Sequence, residues 1–143
     1  MNHPKTRQTA AGVPVRRRIF IASVLASIAA AGCRKASKFS AIAPGQTVLA
    51  FGDSVTYGTG AARGEDWPNL LAQKTSWKIV NAGIPGDTAQ NGKGRIQALL
   101  DEHRPTMVIV EIGGNDFLRR QASTRVKEDI RHIIKTVQMS GTQ

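Results

Sequence analysis

The chain has 143 residues, enough for at most one modest domain, and its 41% hydrophobic content is ordinary for a globular protein. Its net charge of +10 is unevenly placed: residues 1–38 hold eight Lys or Arg and no acidic residue, whereas the rest hold twelve basic and ten acidic residues. A nucleic-acid-binding domain carries its positive patch on the folded part, so this distribution argues against a nucleic-acid partner. The single cysteine, Cys33, excludes an internal disulfide and a zinc site built from several cysteines.

Residues 1–33 have the pattern of an export signal. Three arginines, Arg16–Arg18, precede Ile19–Ala31, a run of thirteen uncharged residues. This run is too short to span a bilayer as a helix but suits the apolar core of a secretory signal. The segment Arg17–Ile21 also resembles a twin-arginine export signal. We therefore predict an exported protein of the periplasm or cell envelope.

The end of this signal suggests lipid attachment. Small residues at Ala30–Gly32 precede Cys33, which resembles the lipobox of bacterial lipoproteins, although Ala30 stands where a leucine is usual. Lipidation of Cys33 would bring the protein into contact with a membrane. An ordinary signal peptide cleaved near Ala31 is the alternative. Residues 34–45 then form a short polar tether, and the folded domain is predicted at residues 46–143.

After the tether, apolar runs and helical periodicities alternate. Strands are predicted at Thr47–Phe51, Lys78–Asn81 and Thr106–Ile112, and helices from Glu65 or Asp66 to about Lys74, at Thr88–His103 and from Ser123 to about Ser140. The order β-α-β-α-β-α predicts an α/β fold, in which a parallel sheet lies between helices on both faces. The predicted architecture is thus a three-layer α/β/α sandwich with about three strands.

The loops that follow the three strands are rich in reactive groups, and all three should lie at the carboxyl edge of the sheet, where open α/β sheets bind ligands. These loops are Gly52–Gly58, Asn81–Thr88 and Gly113–Asp116. The first offers the hydroxyl of Ser54 on a tight turn. The second offers the backbone N–H of Gly83, and the third offers the side-chain amide of Asn115. One hydroxyl with several convergent donors is what acyl transfer to a serine requires.

Each loop also has a simpler interpretation. Gly-Asp-Ser is a common turn, a glycine after a strand can serve only the turn, and Asp116 can cap a helix. Because all three loops follow in order at one edge of the sheet, the interpretation as a hydrolase that uses a serine nucleophile is favoured over these simpler ones. A flavodoxin-like nucleotide-binding protein is disfavoured, because residues 52–60 lack the lysine of a phosphate loop and Asp53 would repel phosphate. An envelope module that binds carbohydrate or lipid in the same cleft is the alternative function.

These three loops resemble the conserved blocks of the SGNH (GDSL) hydrolase family. Gly52–Ser54 is similar to the first block, Gly83 to the glycine of the second and Gly113–Asp116 to the third. The stretch Asn81–Leu118 is most similar to the bacterial periplasmic branch of thioesterase I, lysophospholipase and arylesterase. The resemblance covers residues 47–138 and implies the flavodoxin-like fold of that family, with the strand order 2-1-3 for the strands present.

The resemblance also implies functions for individual residues. Ser54 would be the nucleophile, and its own N–H, the N–H of Gly83 and the amide of Asn115 would form the oxyanion hole. The substrate would be a small acyl ester or thioester, and the family uses neither a metal nor a cofactor.

The general base of the family is a histidine near the C-terminus, three residues after an aspartate. We interpret His103 and His132 as surface helix residues, and His3 belongs to the leader. The expectation is that the catalytic Asp and His are absent from the chain. Residues 46–143 would then be the N-terminal part of a truncated domain, inactive alone, with the third strand left at the edge of the sheet.

Overall fold

The computed structural model describes residues 40–143. The predicted export signal, the predicted lipid attachment at Cys33 and the tether residues 34–39 lie outside this range. None of the helices within it combines the length and the apolar character that a bilayer crossing requires.

A parallel sheet of three strands organises these residues. The strands are β1 (Thr47–Gly52), β2 (Lys78–Gly83) and β3 (Met107–Glu111), in the order β2-β1-β3. Both neighbours of β1 run parallel to it, and Gly52 at its end lies opposite Gly83 on one side and Glu111 on the other. The predicted strand order is confirmed, and the carboxyl ends of all three strands meet at one edge.

Within the described residues, five helices accompany the sheet. They are α1 (Ser54–Tyr57), α2 (Trp67–Thr75), α3 (Ala89–His103), α4 (Gly114–Leu118) and α5 (Ser123–Met139). The side chain of Asp66 accepts a hydrogen bond from the N–H of Asn69 and begins α2, and Thr88 begins α3 by accepting from the N–H of Asn91. Both caps use the short polar side chains that satisfy free N–H groups at helix N-termini.

Side chains from both faces of β1 are buried, which confirms the three-layer α/β arrangement. Leu49 and Phe51 point to one face and are fully buried in the main hydrophobic cluster. The helical members of this cluster come from α3 and α5, and they are Ile96, Leu100, Ile133 and Val137. Strand side chains alternate between faces, so Val48 and Ala50 point the other way, and they too are fully buried.

At the β3 edge of the sheet, two backbone groups form hydrogen bonds with a residue outside the three strands. The N–H of Gln143 donates to the carbonyl of Thr106 at 3.1 Å, and the N–H of Val108 donates to the carbonyl of Gln143 at 2.8 Å. This is the hydrogen-bonding pattern of a parallel strand pair. The prediction that the third strand lies at the edge of the sheet is confirmed: within residues 40–143, β1 is the only strand that pairs with β3, although Thr106 and Val108 also bond to the backbone of Gln143.

Candidate active site

Ser54 lies at the carboxyl end of the central strand, as the first residue of α1. The preceding residue, Asp53, is buried and caps this helix, since its Oδ1 accepts from the N–H of Val55 at 3.0 Å. The carbonyl of Asp53 also accepts from the N–H of Tyr57 at 2.9 Å, which closes the turn. Within residues 40–143, neither the hydroxyl nor the N–H of Ser54 has a hydrogen-bond partner. Both groups are thus available to a ligand.

Asn115 on α4 joins the third loop to the other two. Its Nδ2 donates to the carbonyl of Asp87 at 2.9 Å and to Oδ2 of Asp53 at 3.3 Å. The second distance is beyond the usual range for an N–H···O bond, so this bond is the weaker of the two. The amide of Asn115 is therefore held one residue away from Ser54, with one hydrogen engaged only weakly.

Gly83 has a packing function that the sequence interpretation missed. It is the last residue of β2, and a Cβ at this position would lie 2.2 Å from the backbone nitrogen of Tyr57. The glycine thus permits β2 to approach α1. Its N–H donates to Oδ1 of Asn81 at 3.0 Å. Because this donor already has a partner, the structure disfavours the predicted assignment of Gly83 to the oxyanion hole.

Gly86 offers a free donor in the same loop. The N–H of Asp87 donates to the carbonyl of Ile84 at 3.1 Å, which closes a four-residue turn around Pro85 and Gly86. Gly86 has φ +80°, as the third residue of a type II turn requires, and glycine adopts this conformation without strain. Its N–H lies outside the closing bond and has no partner within residues 40–143. The Pro-Gly dipeptide was the sequence signal for this turn.

Asp116 caps a helix, but not the one in which it lies. Its carboxylate is buried, and Oδ2 accepts from the N–H of Ala89, the first residue of α3, at 2.8 Å. This contact ties the third loop to the second. The simpler interpretation of Asp116 as a capping residue is thus correct, and Asn115 beside it is the group that reaches toward Ser54.

Neither histidine of residues 40–143 has a hydrogen bond to Ser54. His103 is the last residue of α3, and the nearby N–H of Thr106 bonds to the carbonyl of Thr47 at the start of β1. His103 therefore lies at the opposite edge of the sheet, about 20 Å from Ser54. His132 is exposed on α5.

Asp129 and His132 do have the Asp-x-x-His spacing, which the sequence interpretation passed over. The structure places both in the middle of α5. Asp129 is buried in an ion pair with Lys93 of α3, whereas His132 faces solvent, so the two do not form a catalytic pair. Residues 40–143 also contain no group of three His, Cys, Asp or Glu side chains arranged to hold a metal ion.

Comparison with known proteins identifies the family. The sequence model of the GDSL-like lipase/acylhydrolase family matches residues 50–143. The chain belongs to this family. The GDSL-like match includes all three loops that surround Ser54.

Individual relatives agree with this assignment. The chain is 39% identical over 103 residues to thioesterase 1/protease 1/lysophospholipase L1 of Escherichia coli, covering 71% of this chain and 50% of that one. It is 32% identical over 117 residues to the esterase TesA of Pseudomonas aeruginosa, covering 78% and 58%. The crystal structure of AlinE4, an SGNH-hydrolase family esterase, superposes with a TM-score of 0.63 at 34% identity, covering 69% and 56%. The chain thus spans about half the length of the curated relatives it matches.

Proposed function

We propose that the full-length protein hydrolyses acyl esters or thioesters through a covalent intermediate on Ser54. The observation that carries this proposal is the 3.3 Å contact between Asn115 and Asp53, which draws a side-chain donor toward the residue beside an unpartnered serine hydroxyl. Membership of the GDSL-like lipase/acylhydrolase family supports the same chemistry.

In this mechanism the hydroxyl oxygen of Ser54 attacks the carbonyl carbon of the substrate, and the carbonyl oxygen becomes an oxyanion. We assign three donors to that oxyanion: the N–H of Ser54, the N–H of Gly86 and the side-chain amide of Asn115. Such a donor is worth about 3–4 kcal/mol in the transition state when its geometry is right. The hydrogen bond from Asn115 to Asp53 is long and therefore weak. The amide can exchange it for a hydrogen bond to the oxyanion of the substrate.

The serine still needs a base, because a neutral hydroxyl is a weak nucleophile. His103 lies at the opposite edge of the sheet and His132 faces solvent in the middle of α5, so we assign neither of them as this base. We propose that an imidazole outside residues 40–143 takes this proton and later returns it to the leaving group. In this account residues 46–143 are the N-terminal part of the catalytic domain, and they carry the nucleophile and the oxyanion hole.

Hydrolysis of p-nitrophenyl esters and acyl thioesters by the full-length gene product tests the proposal. We expect turnover that disappears in Ser54→Ala and persists in Ser76→Ala, a control in the exposed turn that ends α2. Turnover that is equal in wild type and Ser54→Ala would show that another residue performs the chemistry.

We also propose that residues 1–33 direct export, with Cys33 as the lipidated N-terminus of the mature protein. The position of the small residues before Cys33 supports this proposal. Mass spectrometry of the mature protein from its native host should find a diacylated Cys33 at the N-terminus. An unmodified N-terminus at another residue would exclude lipidation, and an N-terminus at Met1 would exclude cleavage of the signal.

A further inference from the structure

Beneath the candidate active site, one guanidinium group bonds to the ends of two strands. Arg95 lies on α3, and its side chain is only 19% exposed. One terminal nitrogen donates to the carbonyl of Ala82 at 2.9 Å, and the other donates to the carbonyl of Gly52 at 3.0 Å. The guanidinium also lies over the ring of Phe51, 4.1 Å from its centroid. Arg95 thus bridges the carboxyl ends of β1 and β2.

The same side chain holds the second loop. Nε of Arg95 donates to Oδ2 of Asp87 at 2.8 Å, and a terminal nitrogen lies 2.7 Å from the same oxygen. Asp87 is buried, it directly follows Gly86, and its carbonyl accepts from the amide of Asn115. Two of the three groups that Arg95 contacts therefore lie close to assigned oxyanion donors: Gly52 is two residues before Ser54, and Asp87 follows Gly86 and accepts from Asn115.

We propose that Arg95 is a positioning residue for catalysis: it fixes the relative placement of Ser54, Gly86 and Asn115 without touching the substrate. This inference rests on the proposed function. The planar guanidinium presents its N–H donors in a fixed fork, which allows it to bond two carbonyls and a carboxylate at once. A lysine ammonium is a compact charge on a flexible chain, so it can keep the ion pair with Asp87 but not the whole arrangement.

A second ion pair on α3 distinguishes this role from general stabilisation. Lys93 lies two residues before Arg95 and pairs with the buried carboxylate of Asp129 on α5. Both pairs join α3 to a buried aspartate, yet within residues 40–143 the ammonium of Lys93 forms no hydrogen bond with the strand ends or with the loops around Ser54. Substitution of Lys93 should therefore lower the stability of the fold without changing catalysis. Substitution of Arg95 should displace the catalytic groups and lower kcat.

The test compares Arg95→Lys with Lys93→Gln in the full-length gene product. Activity is expressed per Ser54 titrated by a fluorophosphonate, so that an unfolded fraction does not enter the rate. For Arg95→Lys we expect kcat to fall about 10- to 100-fold with KM within about threefold, because small displacements of catalytic groups reduce rates by such factors. For Lys93→Gln we expect a lower Tm and an unchanged kcat per titrated site.

Three results would overturn the inference alone: a kcat for Arg95→Lys within about twofold of wild type, an effect confined to KM, or an equal loss of kcat in Lys93→Gln. A wild-type protein that is neither labelled at Ser54 nor active on any ester would instead overturn the proposed function, and the role of Arg95 with it. The two failures are distinguishable because the first leaves wild-type labelling and turnover intact.

Discussion

The side-chain amide of Asn115 lies 3.3 Å from the carboxylate of Asp53, although the two residues are 62 positions apart in the sequence. The other oxygen of this carboxylate caps α1 through the N–H of Val55. One buried side chain thus determines both where the helix with Ser54 begins and how the third loop approaches it. The packing of the two loops and the geometry of the candidate active site are therefore coupled.

We predict that Asn115→Ala lowers kcat by about 10²- to 10³-fold in the full-length protein, as the loss of one oxyanion-hole donor does in serine hydrolases. KM should change little, because the lost bond forms mainly in the transition state. Steady-state kinetics on a p-nitrophenyl ester measures both values. Asn91→Ala, at an exposed position of α3, is the matched control and should behave as wild type. Equal rates for the two variants would remove Asn115 from the oxyanion hole.

The choice between Gly86 and Gly83 can be measured by NMR. When a phosphonate is bound covalently to Ser54, its oxygen occupies the oxyanion position, so the amide proton of Gly86 should move downfield by hydrogen bonding. The amide proton of Gly83 should keep its shift, because its bond to Asn81 persists. A downfield shift at Gly83 with no change at Gly86 would restore the assignment suggested by the sequence.

The buried face of α5 predicts a difference in stability between two adjacent isoleucines. Ile133 is fully buried in the hydrophobic cluster, whereas Ile134 is 42% exposed. We expect Ile133→Ala to lower the free energy of unfolding by about 2–5 kcal/mol and Ile134→Ala by about 1 kcal/mol or less. Urea denaturation of both variants checks this. Equal losses would mean that α5 does not present this face to the sheet.

The cap of α2 should make stability depend on pH. Hydrogen bonds from the side chain and then the backbone N–H of Asn69 lower the pKa of Asp66 below its usual 3.8. Because the folded pKa is the lower one, the contribution of Asp66 is present above pH 3.8 and is lost as the pH falls through the folded value. The stability difference between wild type and Asp66→Asn, which cannot titrate, should therefore shrink between pH 5 and the acid limit of folding. A constant difference in urea denaturation would contradict this cap.

The longer elements could be predicted because their signals are local. Each strand is a short apolar run, and α2 and α3 begin at capping residues, Asp66 and Thr88, that the sequence shows directly. The helices α1 and α4 were not predicted as separate elements, since four or five residues are too few for an apolar periodicity. The strand β2 continues to Gly83 rather than ending at Asn81, because its last residues pair with the end of β1.

The site could be predicted only in part, because whether an N–H group is free to bind a ligand depends on the hydrogen bonds it already makes in the folded protein. The sequence indicated that the loops of Ser54 and Asn115 meet, and the structure brings them together through Asp53. The sequence did not indicate that the side chain of Asn81 accepts the hydrogen bond of the Gly83 N–H, or that the turn at Gly86 leaves the N–H of Gly86 without a partner in residues 40–143. These differences arise from single hydrogen bonds and from one φ angle, which composition and spacing do not encode.

The central claim is that Ser54 is a nucleophile, and covalent labelling tests it most directly. The full-length protein is treated with a fluorophosphonate, digested and analysed by peptide mass spectrometry. We predict one adduct, on the peptide that contains Ser54, which is absent in Ser54→Ala and retained in Ser76→Ala. A folded wild-type protein without an adduct, or with an adduct on another residue, would contradict the claim; the former would favour an envelope module that binds carbohydrate or lipid without hydrolysing it.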